Sequence, residues 1–184
     1  MTTAIIIGLL VLLGLFMIFI FNKFVRNRNL VNDAWSNIDA GLKRRHDLVP
    51  NLVSTVKGYA QHETSTFENV TRARNAAMQA GTGDINSRVD AENALNAGLK
   101  SLFALAEQYP ELKANTAFLD LQQQLGQLEE SLERTRRYYN ATVRENNSFG
   151  EGFPGVLFAG LFGYKHFNFF ETAQGEKAVP KVEF

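Results

Sequence analysis

The chain has 184 residues, 45% of them hydrophobic, with four prolines and no cysteine. The length favours one domain with a real core once any membrane segment is set aside. Nineteen Lys and Arg balance nineteen Asp and Glu, which removes a global attraction to nucleic acid, and the missing cysteine excludes disulfides, thiol nucleophiles, Cys-ligated metals and a lipidated cysteine anchor.

After a tail of residues 1–3, residues 4–21 (AIIIGLLVLLGLFMIFIF) contain no charge. As a helix this run is about 27 Å long, close to the hydrocarbon thickness of a bilayer. A cleaved signal peptide has a basic start, a shorter apolar core and small residues at its end. Here nothing basic precedes the run, and Asn22-Lys23-Phe24-Val25-Arg26 follows it. The sequence therefore predicts a retained transmembrane helix. Lys23, Arg26 and Arg28 flank only its C-terminal side, so the positive-inside rule puts the N-terminus outside and the body in the cytoplasm.

The next stretch, residues 29–59, carries a heptad-like seam. Val31, Trp35, Ile38, Leu42, Arg45, Val49, Leu52, Val56 and Tyr59 alternate in steps of four and three, and only Arg45 interrupts the apolar character. No Gly or Pro separates this seam from the span, so the helix is expected to continue out of the bilayer. Pro50 predicts a kink, with Asp47 as a local cap, rather than an end. Ser65-Thr66-Phe67-Glu68 has capping-box spacing, but Phe67, Val70 and Arg74 continue the helical rhythm across it.

Residues 80–84 (AGTGD) read as a turn, and Ser87 with Asp90 as the cap of a second helix. Leu95, Leu99, Leu102 and Ala106 mark its face, widened by Phe103 and Leu105, and Tyr109-Pro110 ends it. Asn115 is the expected N-cap of a third helix, with the seam Phe118, Leu121, Leu125, Leu128, Leu132, Thr135 and Tyr139. The predicted fold class is all-α. The N-terminal transmembrane helix continues into an antiparallel bundle of three to four long helices over residues 22–149.

A short aromatic C-terminal segment, residues 150–171, follows. Gly150, Gly152, Pro154 and Gly155 end the third helix, and residues 153–170 are dense in Phe. Gly155, Ala159 and Gly163 make one small-residue face if Pro154 starts a short helix. The segment reads either as a lid filling the end of the bundle or as a membrane-contacting or self-association patch. Three long helices leave it far from the bilayer, and an extra reversal at Pro50 returns it there. Residues 172–184 read as a polar, flexible tail.

The residues offer little chemistry. His46, His62 and His166 are scattered, and His62-Glu63 has Thr66 where a zinc helix places its second histidine. Glu129, Glu130 and Glu133 lack the Glu-x-x-His pairs of a di-iron bundle. Gly81-x-Gly83 lacks the lysine and the strand of a phosphate loop. No catalytic residue, metal, cofactor, small-molecule substrate or nucleic acid is expected. The dense charge cluster Lys43-Arg44-Arg45-His46-Asp47 lies about 30 Å beyond the bilayer on a straight helix, well past a Debye length of about 8 Å. A protein carboxylate therefore suits it better than a lipid headgroup. Arg45 is expected to pair with Glu129, Glu130 or Glu133, or else to lay its stem along the seam and reach water.

Several blocks together resemble the LemA family. They are Asn29-Leu30-Val31, Ala34-Trp35-Ser36-x-Ile38-Asp39, Leu42-Lys43-Arg44-Arg45-x-Asp47-Leu48-Val49-Pro50-Asn51-Leu52-Val53 and Val56-Lys57-Gly58-Tyr59, followed by Tyr109-Pro110-x-Leu112-Lys113-Ala114-Asn115, Tyr139-Asn140, Phe153-Pro154 and Phe169-Phe170. The resemblance covers residues 5 to 171. It implies a bacterial inner-membrane protein with an N-terminal membrane helix, an all-helical body and no established enzymatic role. One branch of the family is associated with magnetosome membranes, and some members are encoded near membrane proteases. Asn146-Asn147 and Gly150 depart from the family pattern and predict a looser hinge before Phe153-Pro154.

The expected function is that of a non-enzymatic, single-pass scaffold or membrane-organising module that self-associates. The alternative is an adaptor docking a membrane protease or another envelope complex. The expected partners are the lipid bilayer, further copies of the chain and a membrane protein. Arg45, Trp35, Phe153, Leu157, Leu161, Phe162, Phe169 and Phe170 are the candidate interaction residues.

Overall fold

The computed structural model describes residues 1–81 and 85–170. Five α-helices run through them: α1 (Thr2–Lys57), α2 (Thr64–Ala80), α3 (Ile85–Ala106), α4 (Pro110–Lys113) and α5 (Thr116–Glu151). A single 3-10 turn, Gly155–Leu157, comes next, and no strand occurs among the described residues. Residues 82–84 of the expected turn and the expected tail 172–184 lie outside them.

α1 shows how one helix meets two environments. Residues 4–19 expose nearly every side chain, as a helix facing acyl chains does. From Ile20 onward one stripe is buried: Ile20, Phe24, Asn27, Val31, Ala34, Ile38, Leu42, Arg45, Val49, Leu52 and Val56. Its steps of four and three follow the predicted seam, with one shift of phase. Ala34 takes the buried position and Trp35 lies half-buried beside it. Tyr59, expected to close the seam, is exposed beyond the end of the helix.

The helix ends where the sequence did not predict it. α1 runs through Pro50, whose ring lies on the exposed side. The break comes instead between Lys57 and Thr64, where Ala60 N donates to Val56 O at 3.0 Å and Glu63 N to Ala60 O at 3.1 Å. Gly58 and the polar run Gln61-His62-Glu63 interrupt the apolar repeat there, so helical propensity fails, and Ala60 alone of residues 57–63 stays in the core. Residues 29–80 are therefore two helices and not one bent one, and the additional reversal follows Lys57. Ser87 and Asp90, expected to cap the next helix, lie inside α3.

The chain forms two compact units, Met1–Asn37 with Arg136–Phe169, and Ile38–Thr135 with Phe170. The second has the larger core. Val49, Leu52 and Val56 of α1 meet Phe67, Val70 and Ala77 of α2, Leu95, Leu99, Leu102 and Leu105 of α3, Leu112 of α4, and Phe118 and Leu125 of α5. Gly41 lets α1 approach α5, since a Cβ there would lie 2.6 Å from Leu132 Cδ2. In the first unit the start of α1 and the end of α5 are antiparallel. Trp35 packs on Tyr139 with ring centroids 5.4 Å apart, Phe24 on Phe149 at 4.8 Å, and Lys23 bridges to Glu145.

Asn115 caps α5 as its sequence position predicts. Phe118 N donates to Asn115 Oδ1 at 3.0 Å, and Asn115 Nδ2 donates to Tyr59 Oη at 2.9 Å. Asn115→Ala removes this cap and is expected to lower stability by about 1 kcal/mol in denaturant unfolding, with Asn115→Asp losing less.

Candidate functional site

Two groups of side chains stand out, one in each unit. In the larger unit the single charge on the α1 stripe, Arg45, is 2% exposed. A guanidinium removed from water must be matched by hydrogen-bonding anions, and three residues supply partners. Arg45 Nη1 donates to Glu129 Oε2 at 2.9 Å and to Asn96 Oδ1 at 2.8 Å, while Nη2 bonds to Glu92 Oε2. The other Glu92 oxygen meets His46 Nε2 at 2.8 Å. Arg74 Nε closes the group on the His46 carbonyl at 2.7 Å.

Of the three carboxylates expected near Arg45, Glu129 makes the contact. Glu92, which was not anticipated, makes the more buried one. The signal for it was present. Arg88, Glu92, Leu95, Leu99, Leu102 and Ala106 continue one four-three stripe on α3, all buried, and Arg88 likewise pairs with Asp39. Burial pushes the Glu92 carboxyl up, but the His46 hydrogen bond and the Arg45 charge outweigh it and hold the group below its ordinary value of 4.5. His46 and Glu92 form a histidine–carboxylate pair, but both are buried, which shields the pair from solvent.

The second group surrounds the residues after α5. Asn146 and Asn147, expected to loosen a hinge, are buried and helical, and they do the opposite. Asn146 Nδ2 donates to Lys165 O at 2.9 Å, Asn147 Nδ2 to Phe167 O at 2.8 Å, and Phe167 N to Asn147 Oδ1 at 3.1 Å. The two amides satisfy the backbone of an extended segment that has no sheet to join. Gly150 is needed beneath it, since a Cβ there would overlap the Tyr164 ring. The short helix expected from Pro154 is only the turn Gly155–Leu157, so Gly155, Ala159 and Gly163 do not line up on one face.

Between these anchors the chain folds back along α1. Phe158 and Phe162 stack with centroids 5.8 Å apart, Phe158 reaches Phe16 at 6.3 Å, and Phe162 reaches Phe21 at 5.3 Å and Phe24 at 6.1 Å. The edge-on geometry of the contacts with α1 is the favoured one for aromatic pairs. Of the candidate interaction residues, Phe162 belongs to this cluster. Phe153, Leu157, Leu161 and Phe169 are exposed, and Phe170 is buried. Trp35 packs on Tyr139 and Arg45 lies within its ion-pair network. Phe16 and Phe21 were missed because their run reads as membrane span alone, and Phe24 because it stands between the charges of Lys23 and Arg26.

The anchor helix and the helical body define an all-α, membrane-anchored protein. The LemA family model matches residues 34–184, and the chain belongs to that family. It is 28% identical to Protein LemA of Metamycoplasma hominis over 127 residues, covering 69% of this chain and 58% of that protein. It is 23% identical to the magnetosome protein MamQ of Magnetospirillum gryphiswaldense, covering 86% of this chain and 68% of that protein. Magnetosome protein MamQ 2 of Paramagnetospirillum magneticum is also 23% identical, with 82% and 64% covered. The chain thus spans less than two thirds of the Metamycoplasma protein.

Two outcomes follow from the Arg45 network. Arg45→Ala strands Glu92 in the interior and is expected to cost about 3–5 kcal/mol in guanidinium unfolding, while Arg45→Met combined with Glu92→Met restores most of it. Because the folded-state pKa of Glu92 is lowered, its contribution is full above the ordinary value of 4.5 and is lost as pH falls through the folded value. The stability gap between the parent and Glu92→Gln is therefore expected to narrow on acidification below 4.5.

Proposed function

We propose that this protein is a non-enzymatic, single-pass scaffold of a bacterial inner membrane that organises the membrane by self-association of its helical body. The observation that carries the reading is α1 itself. One uninterrupted helix, Thr2–Lys57, is membrane anchor at one end and core element at the other. Such a helix joins the anchor to the body with no linker between them. The titratable groups best placed for chemistry, His46 and Glu92, are tied to each other and to Arg45 inside the core, which fits a structural role. The likeness to MamQ, by name a magnetosome protein, supports work at a membrane.

Lys23, Arg26 and Arg28 support an N-terminus outside and a cytoplasmic body. The absence of cysteine makes this directly testable. Thr2→Cys in intact spheroplasts is expected to react with an impermeant maleimide, and Glu130→Cys only after lysis; the reverse pattern overturns the orientation.

Self-association is tested by the mass of the full-length protein in mild detergent or nanodiscs, by mass photometry. The expected result is a particle of many copies. A monomer overturns the scaffold reading and favours an adaptor that needs a second protein.

A further inference from the structure

Residues 153–162 (FPGVLFAGLF) contain no charged or hydrogen-bonding side chain, yet the protein covers only part of them. Gly155 is buried and Phe158 and Phe162 turn toward α1, whereas Phe153 is 83% exposed, Leu157 68% and Leu161 69%, with Val156 exposed beside them. An exposed apolar set of this kind in one short segment needs an apolar environment.

The position of the segment along α1 says which environment. Phe158 packs on Phe16 and Phe162 on Phe21. Phe16 lies five residues before the end of the charge-free run 4–21, about 7.5 Å along the helix axis. A ring packed on Phe16 therefore shares the depth of Phe16 in the bilayer. The polar boundary is marked on both chain segments: Lys23, Arg26 and Arg28 follow on α1, and Lys165 and His166 follow the aromatic loop. Lys23 bridges to Glu145 at that level.

From this the geometry points to a second membrane contact: residues 153–162 form an interfacial loop inserted in the leaflet that holds the C-terminal end of the span, with Phe153, Val156, Leu157 and Leu161 among the acyl chains. The occupant of the exposed face is lipid, because the face is continuous with a helix surface that is itself lipid-facing. Backbone amides entering hydrocarbon need internal partners, and the loop supplies several. Val156 N donates to Gly152 O at 2.8 Å, Phe158 N to Gly155 O at 2.9 Å, Phe162 N to Phe158 O at 2.9 Å, and Tyr164 N to Ala159 O at 2.9 Å. Remaining groups are served by a shallow depth, as for interfacial segments immersed about 5–10 Å. The contact fixes the rotation of the anchor helix relative to the bilayer and is independent of copy number.

The test uses the full chain in phosphatidylcholine vesicles. Trp35 is the single tryptophan, so Trp35→Phe gives a silent background for Phe153→Trp, Leu157→Trp and Leu161→Trp, with Tyr138→Trp on α5 as control. Lipids brominated on their acyl chains are expected to quench the three loop reporters severalfold more than the control, and aqueous iodide is expected to quench them less. Iodide quenching without lipid quenching overturns the insertion. Shielding from both also overturns it, since it means protein cover by another copy. Leu157→Cys carrying a nitroxide gives a second readout with Trp35 kept, and there oxygen accessibility above that to a water-soluble nickel complex is expected. A monomer that shows lipid quenching upholds the insertion while overturning the scaffold.

Discussion

The structure depends on one helix having to satisfy lipid and protein in turn. In hydrocarbon a helix is stable with apolar side chains all round, since its backbone is already hydrogen-bonded. In a protein core it needs a single apolar stripe. α1 changes from the first condition to the second at Ile20, and the stripe that starts there continues to Val56 in steps of four and three, with one shift of phase between Ala34 and Leu42. Whatever packs on Ile20 and Phe24, next to the charge-free run, must approach the membrane. Phe149, Phe162 and Tyr164 do so.

Charge is placed within the α1 and α3 stripes where apolar residues would also fit. Arg45 and Glu92 each occupy a seam position, and each is nearly inaccessible to solvent. Desolvating both is expensive, and the pair is a weak source of net stability. What it does supply is discrimination. A shift of α3 by one turn along α1 would leave a guanidinium and a carboxylate facing leucines, whereas a shift of an all-leucine seam would go almost unpunished. His46 on the second Glu92 oxygen and Glu129 with Asn96 on the second Arg45 nitrogen make that register still narrower.

At the C-terminal end of α5, amides do the work that sheet partners do elsewhere. Asn146 and Asn147 hold the extended residues 165–167, and this fixes where the aromatic loop begins its return. Read from the sequence, two asparagines and a glycine suggested looseness, because asparagine and glycine are common in turns. In the structure they lie inside the helix and are buried. The same residue types that loosen an exposed backbone bind a buried one, since a buried amide must find partners.

The periodic features were legible in the chain alone: the charge-free span, the seams on α1 and α5 and the Asn115 cap. They depend on spacing within one helix, and spacing is a local property. Burial across α3 was half-legible, because Glu92 and Arg88 sit on the leucine stripe but read as ordinary surface charges until a partner is known. Where α1 ends was misread, since Phe67, Val70 and Arg74 read as the continuation of one helix bent at Pro50, while Gly58 and the polar residues after it end the helix at Lys57. Only the tertiary structure decided which carboxylates meet Arg45, and that the aromatic loop lies beside Phe16 and Phe21. Those contacts join residues more than 45 positions apart, and no local pattern encodes which distant side chain completes a pair.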